Sequence, residues 1–381
     1  TAKCPNRNSK TLRLLHRSAP THCFFASTGR QGGGAIVRST AGADWCYIAE
    51  TSGSCTEPPL WSSMANSKCG GKAQSPVNIV RNVAVLDYSL KKFMFEGYDN
   101  VITADVMNNG YTVEVSLAQS AAKISGGKLT GKYKALQFHL HWGKAGENGS
   151  EHQIDSKQMP VELHIVHMKD SFASITDALK EKDGIAVLGF FFEVSKEDNS
   201  KYTPLIDVLS QVATPEGAGE AGAGMYNFVV LWCNGRMEVC RCVFLILEQE
   251  SHLQGQKKQL QISFSATGNV QIKIKLSDFI PSPGDLTKYY RYAGSLTTPN
   301  CDEAVVWTLF DTKIKLSATQ IEKFPGTLKT KSGAALMKNF RPLQPLNDRK
   351  VYWSGCSSLS PGIALLLLSV ISTLGLTIKL H

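Results

Sequence analysis

No aspartate or glutamate occurs before residue 44, although that stretch holds seven cations: Lys3, Arg7, Lys10, Arg13, Arg17, Arg30 and Arg38. Of the formal charge of +9, removing those seven leaves only +2 for the rest of the chain. A nearly neutral body lacks the basic footprint of a nucleic-acid groove, so no nucleic-acid partner is expected. The terminal apolar run "IALLLLSVISTLGLTI" (363–378) is sixteen residues long, short of the roughly 20 that a membrane-crossing helix needs. Long helical patterns are scarce, and no secretory signal peptide is visible.

What is present is a succession of short β-branched and aromatic runs between about 43 and 353, broken by Gly, Asn and Pro. They include "YTVEVSL" (111–117), "ALQFHLHW" (135–142), "VELHIVHM" (161–168), "IAVLGFFFEV" (185–194) and "AVVWTLF" (304–310). Only "TPLIDVLSQV" (203–212) and "SATQIEKF" (317–324) read as short helices, so the domain is expected to be sheet-dominated.

Two segments depart from this rhythm. Residues 1–43 are Arg-rich and without periodicity; they read as a transit peptide, a disordered pro-segment or a misassigned start, since the chain does not begin with Met. Residues 217–265 open on the low-complexity "GAGEAGAG" and continue through two apolar runs to "QGQKKQLQ". Cys240 and Cys242 lie here without further ligand spacing, so an insertion or a mis-joined segment is the preferred reading. Ten cysteines point to an oxidising compartment. Asn148-Gly149-Ser150 is the only sequon, a candidate glycan site if the chain is secreted.

At the C-terminus, 354–381, the small residues "SGCSS" (354–358) precede a short spacer and the apolar tail. That order resembles a glycolipid-anchor signal whose tail is removed, with the attachment point between Ser354 and Ser358. The alternative is a single tail-anchor helix. Either way a membrane is a partner, and a glycolipid places the domain on the extracellular face of the plasma membrane.

The chemistry is concentrated in "QFHLHWG" (137–143). A strand turns alternate side chains to one face, so His139 and His141 point together. Taken alone, such a pair is more often a polar strand face with solvated or hydrogen-bonded histidines than a metal site. In "PVELHIVHM" (160–168), Glu162, His164 and Val166 share a face; if the two strands are neighbours, His164 becomes a third imidazole. Three neutral nitrogens leave a tetrahedral zinc one open position, the layout of a catalytic site. Gln137 and Glu162 share faces with His139 and His164 and are candidates to hold their outer N–H groups. His152 and His167 read as hydrogen-bonded structural histidines.

With these come "QSPVNI" (74–79), "MNNG" (107–110), "GSEHQID" (149–155), "YAGSLTTPNC" (292–301), "VVWTLF" (305–310) and "NFRPLQPLN" (339–347). In this order, over about 44–353, the sequence resembles an α-carbonic anhydrase. "WCY" (45–47), Cys69, "TTPNC" and the tail resemble its membrane-anchored, type IV-like branch. The resemblance implies a mostly β fold with short helices (α+β), a single domain around a large twisted, mainly antiparallel central sheet. It also implies disulfides Cys46–Cys55 and Cys69–Cys301.

As a member of that family the chain would be a zinc lyase, a carbonate dehydratase: zinc-bound hydroxide attacks carbon dioxide, giving bicarbonate and a proton. The resemblance makes His139, His141 and His164 the Zn2+ ligands, and the Asn339 carbonyl the partner of His141. Thr297 would accept the hydroxide's hydrogen and donate its own to Glu151. The Thr297 N–H and Thr298 would hold substrate on the polar side, and Val166, Val187, Leu296, Val305 and Trp307 would line the apolar pocket. Tyr111 stands where fast members carry a proton-shuttling histidine. Because an unperturbed tyrosine titrates near 10 and histidine near 6.5, turnover is expected to depend on buffer. Glu114, taken to share that strand face by two-residue steps, is a candidate to take over part of the role. The alternative function is a catalytically weak or silent binding module at the cell surface.

Overall fold

The computed structural model describes residues 45–47, 55–215 and 269–355. The segments 1–43 and 217–265, and the tail from Cys356 onward, lie outside the described residues, as do Cys4, Cys23, Cys233, Cys240 and Cys242.

In chain order the described strands are β1 (Asn78–Ile79), β2 (Val85–Leu86), β3 (Phe93–Glu96), β4 (Val101–Asn108) and β5 (Val113–Ser116). Then follow β6 (Lys123–Gly126), β7 (Tyr133–Trp142), β8 (Gln153–Ile154), β9 (Lys157–Gln158) and β10 (Val161–Lys169). The rest are β11 (Ile185–Ser195), β12 (Val270–Lys275), β13 (Tyr289–Gly294), β14 (Val305–Ser317) and β15 (Tyr352–Trp353). One 12-stranded sheet runs β12-β4-β5-β7-β10-β11-β14-β13-β15-β2, with β6 beside β7 and β3 beside β6; β1, β8 and β9 form a small second sheet. Within the large sheet only β11–β14 and β15–β2 pair in parallel. The mainly antiparallel sheet expected from the sequence is present.

The alternation of residue types explains why the sheet closes as it does. Phe138, Leu140 and Trp142 on β7, Leu163 and Ile165 on β10, and Leu188, Phe190 and Phe192 on β11 all enter one large core. Each such side chain contributes about 1.5–3 kcal/mol by leaving water. The opposite face carries His139 and His141 on β7, and on the neighbouring strands a second apolar cluster containing Val166, Val187, Val305 and Trp307. A register slip of one residue would exchange the two faces. Both faces of β10 and β11 are covered, so these strands read as nearly continuous apolar runs.

Both helical expectations hold. Thr203–Ile206 forms a short α-helix followed by a 3-10 turn at Leu209–Val212. Ala318–Thr327 forms an α-helix whose start is fixed by a capping box: Ser317 Oγ accepts from the Gln320 N–H, and the Gln320 side chain accepts from the Ser317 N–H. Cys46 pairs with Cys55, and Cys69 with Cys301 across a separation of 232 residues. The described residues contain no helix long and apolar enough to cross a membrane.

Candidate metal centre and active site

β10 lies antiparallel beside β7, with His164 opposite His139 and Glu162 opposite His141. The two-residue period on each strand therefore turns all three imidazoles toward one another. Their ring centroids lie 5.0, 5.3 and 4.6 Å apart, and one nitrogen from each falls within 4.8 Å of the other two.

The outer nitrogens are all occupied. His139 Nδ1 donates to Gln137 Oε1 at 2.8 Å, His141 Nδ1 to the Asn339 carbonyl at 2.7 Å, and His164 Nε2 to Glu162 Oε1 at 2.6 Å. An oxygen acceptor on each outer nitrogen fixes the proton there, leaving a lone pair on His139 Nε2, His141 Nε2 and His164 Nδ1. His141 Nε2 is buried without a hydrogen-bond partner. Burial lowers His139 well below the ordinary histidine value, helped by His141 and His164; it lowers His141 to about 3 and also lowers His164, against the pull of Glu162. Three neutral nitrogens facing one point, one of them unsatisfied, fit a divalent metal of the zinc type.

Glu162 anchors more than one ring. Its carboxylate also accepts from the His152 N–H at 2.8 Å and from His152 Nδ1 at 2.7 Å, while His152 Nε2 meets the Tyr292 hydroxyl at 2.6 Å. Burial disfavours charge on Glu162, but His152 and His164 outweigh it and hold the carboxyl well below the usual range. Both His152 nitrogens are thus committed. His167 lies on the other face, within hydrogen-bond distance of the Tyr98 hydroxyl at 2.6 Å and of the Ile165 carbonyl at 3.0 Å. Gly189 pairs with His164 from β11; a Cβ there would stand 2.4 Å from Leu309 Cδ1 and 3.5 Å from Glu162 Oε1. The missing side chain gives Leu309 and the Glu162–His164 pair their space.

Glu151 is fully buried, with Oε1 accepting from the Arg341 N–H at 2.8 Å. Its Oε2 lies 3.5 Å from His141 Nε2 and 4.0 Å from His164 Nδ1, and has no hydrogen-bond partner. Burial pushes this carboxyl well above the usual range, opposed by the Arg341 N–H and the Thr297 hydroxyl. The Thr297 hydroxyl thus faces the Glu151 carboxyl and favours its charged form against burial. The loop that carries Thr297 and Thr298 is tied by the Cys301 disulfide, the Cys301 N–H to the Thr298 carbonyl at 2.8 Å, and Leu296 N–H to the Asp302 carbonyl at 3.0 Å. Val166, Val187, Val305 and Trp307 are buried and Leu296 packs against them; the Trp307 ring centroid lies 4.7 Å from that of His164.

Tyr111 precedes β5 in a turn where the Asn109 side chain accepts its N–H and that of Thr112. Its ring stacks on Trp45 at 3.8 Å and 5°, with Lys331 Nζ 4.8 Å above it. Strand alternation does not link it to Glu114, three residues later. Glu114 instead sits opposite His139 in the sheet, accepts from Asn109 Nδ2 at 3.3 Å, and has its carboxyl raised by burial. Asn148 is exposed. Ser354 is buried, its N–H donating to the Tyr289 carbonyl at 3.0 Å and its hydroxyl to the Thr287 carbonyl at 3.0 Å.

Sequence reading alone did not single out Arg341, Gly189 or Lys331. Arg341 and Gly189 lie inside motifs, "NFRPLQPLN" and "IAVLGFFFEV", but nothing local marks an arginine by its backbone N–H or a glycine by its neighbours' volume. Lys331 is far from Tyr111 in sequence, and only the fold brings them together.

A large sheet with short helices that presents three supported imidazoles around one point defines a mostly β protein whose histidines could hold a metal ion. The eukaryotic-type carbonic anhydrase family model matches residues 56–227 and 242–355. Carbonic anhydrase 4 of Rattus norvegicus is 35% identical over 327 residues, covering 84% of this chain and 88% of that protein. Carbonic anhydrase 4 of Oryctolagus cuniculus is 34% identical over 323 residues, with 84% and 87% covered. Carbonic anhydrase 15 of Mus musculus is 30% identical over 347 residues, with 88% and 91% covered. The chain belongs to the eukaryotic-type carbonic anhydrases. The two matched stretches leave 228–241 between them, inside the atypical 217–265 segment.

Proposed function

We propose that the chain is a zinc-dependent carbonic anhydrase that hydrates carbon dioxide reversibly to bicarbonate and a proton, held on the extracellular face of the plasma membrane by a glycolipid. The observation that carries this reading is the convergence of three imidazole lone pairs whose outer nitrogens are each held by an oxygen. All three ring positions are intact, which favours the enzyme over the silent binding module.

His139, His141 and His164 would hold the metal, with Gln137, Asn339 and Glu162 fixing the rings. Bound zinc would supply a Lewis acid that brings a water's pKa down to about 7, the value established for this family. Thr297 sets the direction of a proton: its oxygen accepts one hydrogen, and its own hydrogen goes to Glu151 Oε2, which has no other partner. The Arg341 N–H keeps Glu151 Oε1 engaged, so Oε2 stays turned to the pocket. Val166, Val187, Leu296, Val305 and Trp307 exclude water from the side where an apolar gas would lie, and Thr297 N–H and Thr298 present the polar side. Tyr111, stacked on Trp45, does not relay protons near neutrality, so proton release limits turnover. Asn148 is exposed and available for a glycan. Ser354 is locked into the sheet edge, which favours attachment in the residues just after it.

The test is stopped-flow hydration of carbon dioxide by the purified chain, before and after metal removal by dipicolinate and after zinc is restored. The reading expects activity lost with the metal and recovered with zinc; a chain that is inactive in both loaded states would leave it without support.

A further inference from the structure

Strand β2 ends the large sheet, and its outer edge has no strand partner among the described residues. Its pairing is used up on one side, where the Val85 N–H donates to the Val351 carbonyl and the Asp87 N–H to the Trp353 carbonyl. Around this edge Val83, Leu86 and Tyr88 are 71, 45 and 62% exposed; Val80, Val85 and, across the pairing, Tyr352 are exposed as well. Single exposed apolar residues are ordinary, but five within nine residues, joined by a cross-strand neighbour, form a patch. An uncovered apolar sheet edge is also one that proteins usually blunt.

The way the chain leaves the domain says what covers it. Ser354 is pinned to Thr287 and Tyr289, and Gly355 lies so near Leu86 that a Cβ there would stand 2.1 Å from Leu86 Cδ1. The small residues Cys356, Ser357 and Ser358 follow at once, and the apolar run 363–378 shortly after. Three residues of extended chain span about 10 Å, so a lipid attached there starts close to the strip. Lys91, Lys92 and Lys350 are exposed on the flanking segments, with no ion pair among the described residues. Asp87 nearby is paired with Lys128 and Arg81 with Asp155 and Asp311, while Asp348 is exposed two residues before Lys350.

We propose that this edge is a lipid-docking surface: Val83, Val85, Leu86, Tyr88 and Tyr352 rest on the headgroup–acyl boundary of a phospholipid layer, and the three lysines reach its phosphates. Long lysine stems lie along apolar surface while their ammonium groups stay among polar groups. A second copy of the chain is the weaker occupant, because a symmetric contact brings the same cationic fringe from both partners. The proposal rests on the membrane-anchored reading. It adds that the anchored domain is oriented, lying on its β2 edge.

The test uses the full chain in phosphatidylcholine vesicles at about one chain per vesicle. Flotation reports attachment, and hydroxyl-radical footprinting compares the vesicle-bound chain with the chain released by an anchor-cleaving phospholipase. Labelling of Leu86, Tyr88 and Tyr352 should fall about threefold or more on the vesicle, while that of Ile175 and Met337 stays level. In the double variant Val83→Glu/Leu86→Glu the protection should vanish, with thermal melting and carbon dioxide hydration unchanged. A chain that floats with its strip fully labelled overturns the docking surface alone. Protection that appears only at high chain density assigns the strip to a second copy and also overturns it. A chain that neither floats nor is released overturns the anchor reading and this proposal together.

Discussion

The inner nitrogen of His141 is buried without a partner, a state that costs about 1–3 kcal/mol unless something in the finished protein satisfies it. The outer contacts aim that lone pair, which gives Gln137 a measurable role. Gln137→Ala should weaken zinc binding about 10–100-fold in chelator competition; unchanged affinity would mean that His139 is held by something else. At the position of Tyr111 a histidine changes the proton route, so Tyr111→His should raise turnover severalfold at low buffer concentration and little at high. No gain at low buffer would show that proton release is not the slow step. His167 tests the large core. Burial lowers it to about 4, so between pH 6.5 and 4 the unfolded chain binds a proton that the folded chain does not. Stability is therefore complete above about 6.5 and falls by up to about 3 kcal/mol as pH drops toward 4. Urea unfolding at several pH values should show this slope, and His167→Gln should flatten it.

At the scale of the element, the site is two strands in one register. That much is legible in the sequence, because a period of two is local: His139, His141, Glu162 and His164 reveal their faces without any knowledge of the fold. That β7 and β10 are neighbours, with His164 opposite His139, is a long-range fact that only the family resemblance anticipates. Glu114 shows the limit of strand periodicity, since Tyr111 lies in a turn held by Asn109, outside the strand that carries Glu114. The loop with Thr297 is an element too, and the Cys69–Cys301 bond ties it across 232 residues. Replacing both cysteines by serine should cost about 2–5 kcal/mol of stability. Denaturant unfolding checks this, and an unchanged midpoint would make the bond incidental to the fold.

For the whole molecule, the described residues are built on one large sheet, with a large apolar core on one face and the three histidines with a smaller cluster on the other. The sheet class and the near-neutral body were legible from short β-rich runs and from charge placement. The β2 edge, without a strand partner among the described residues, was not, because exposure depends on which strand ends the sheet. The segments 1–43 and 217–265 have no period from which a fold can be argued. The claim on which the rest depends is tested most directly by counting zinc in the purified chain by mass spectrometry, beside His139→Ala, His141→Ala and His164→Ala variants that remain folded. The account predicts one zinc per chain and marked loss in each variant; a wild-type chain without stoichiometric zinc, or variants that keep it, would contradict it.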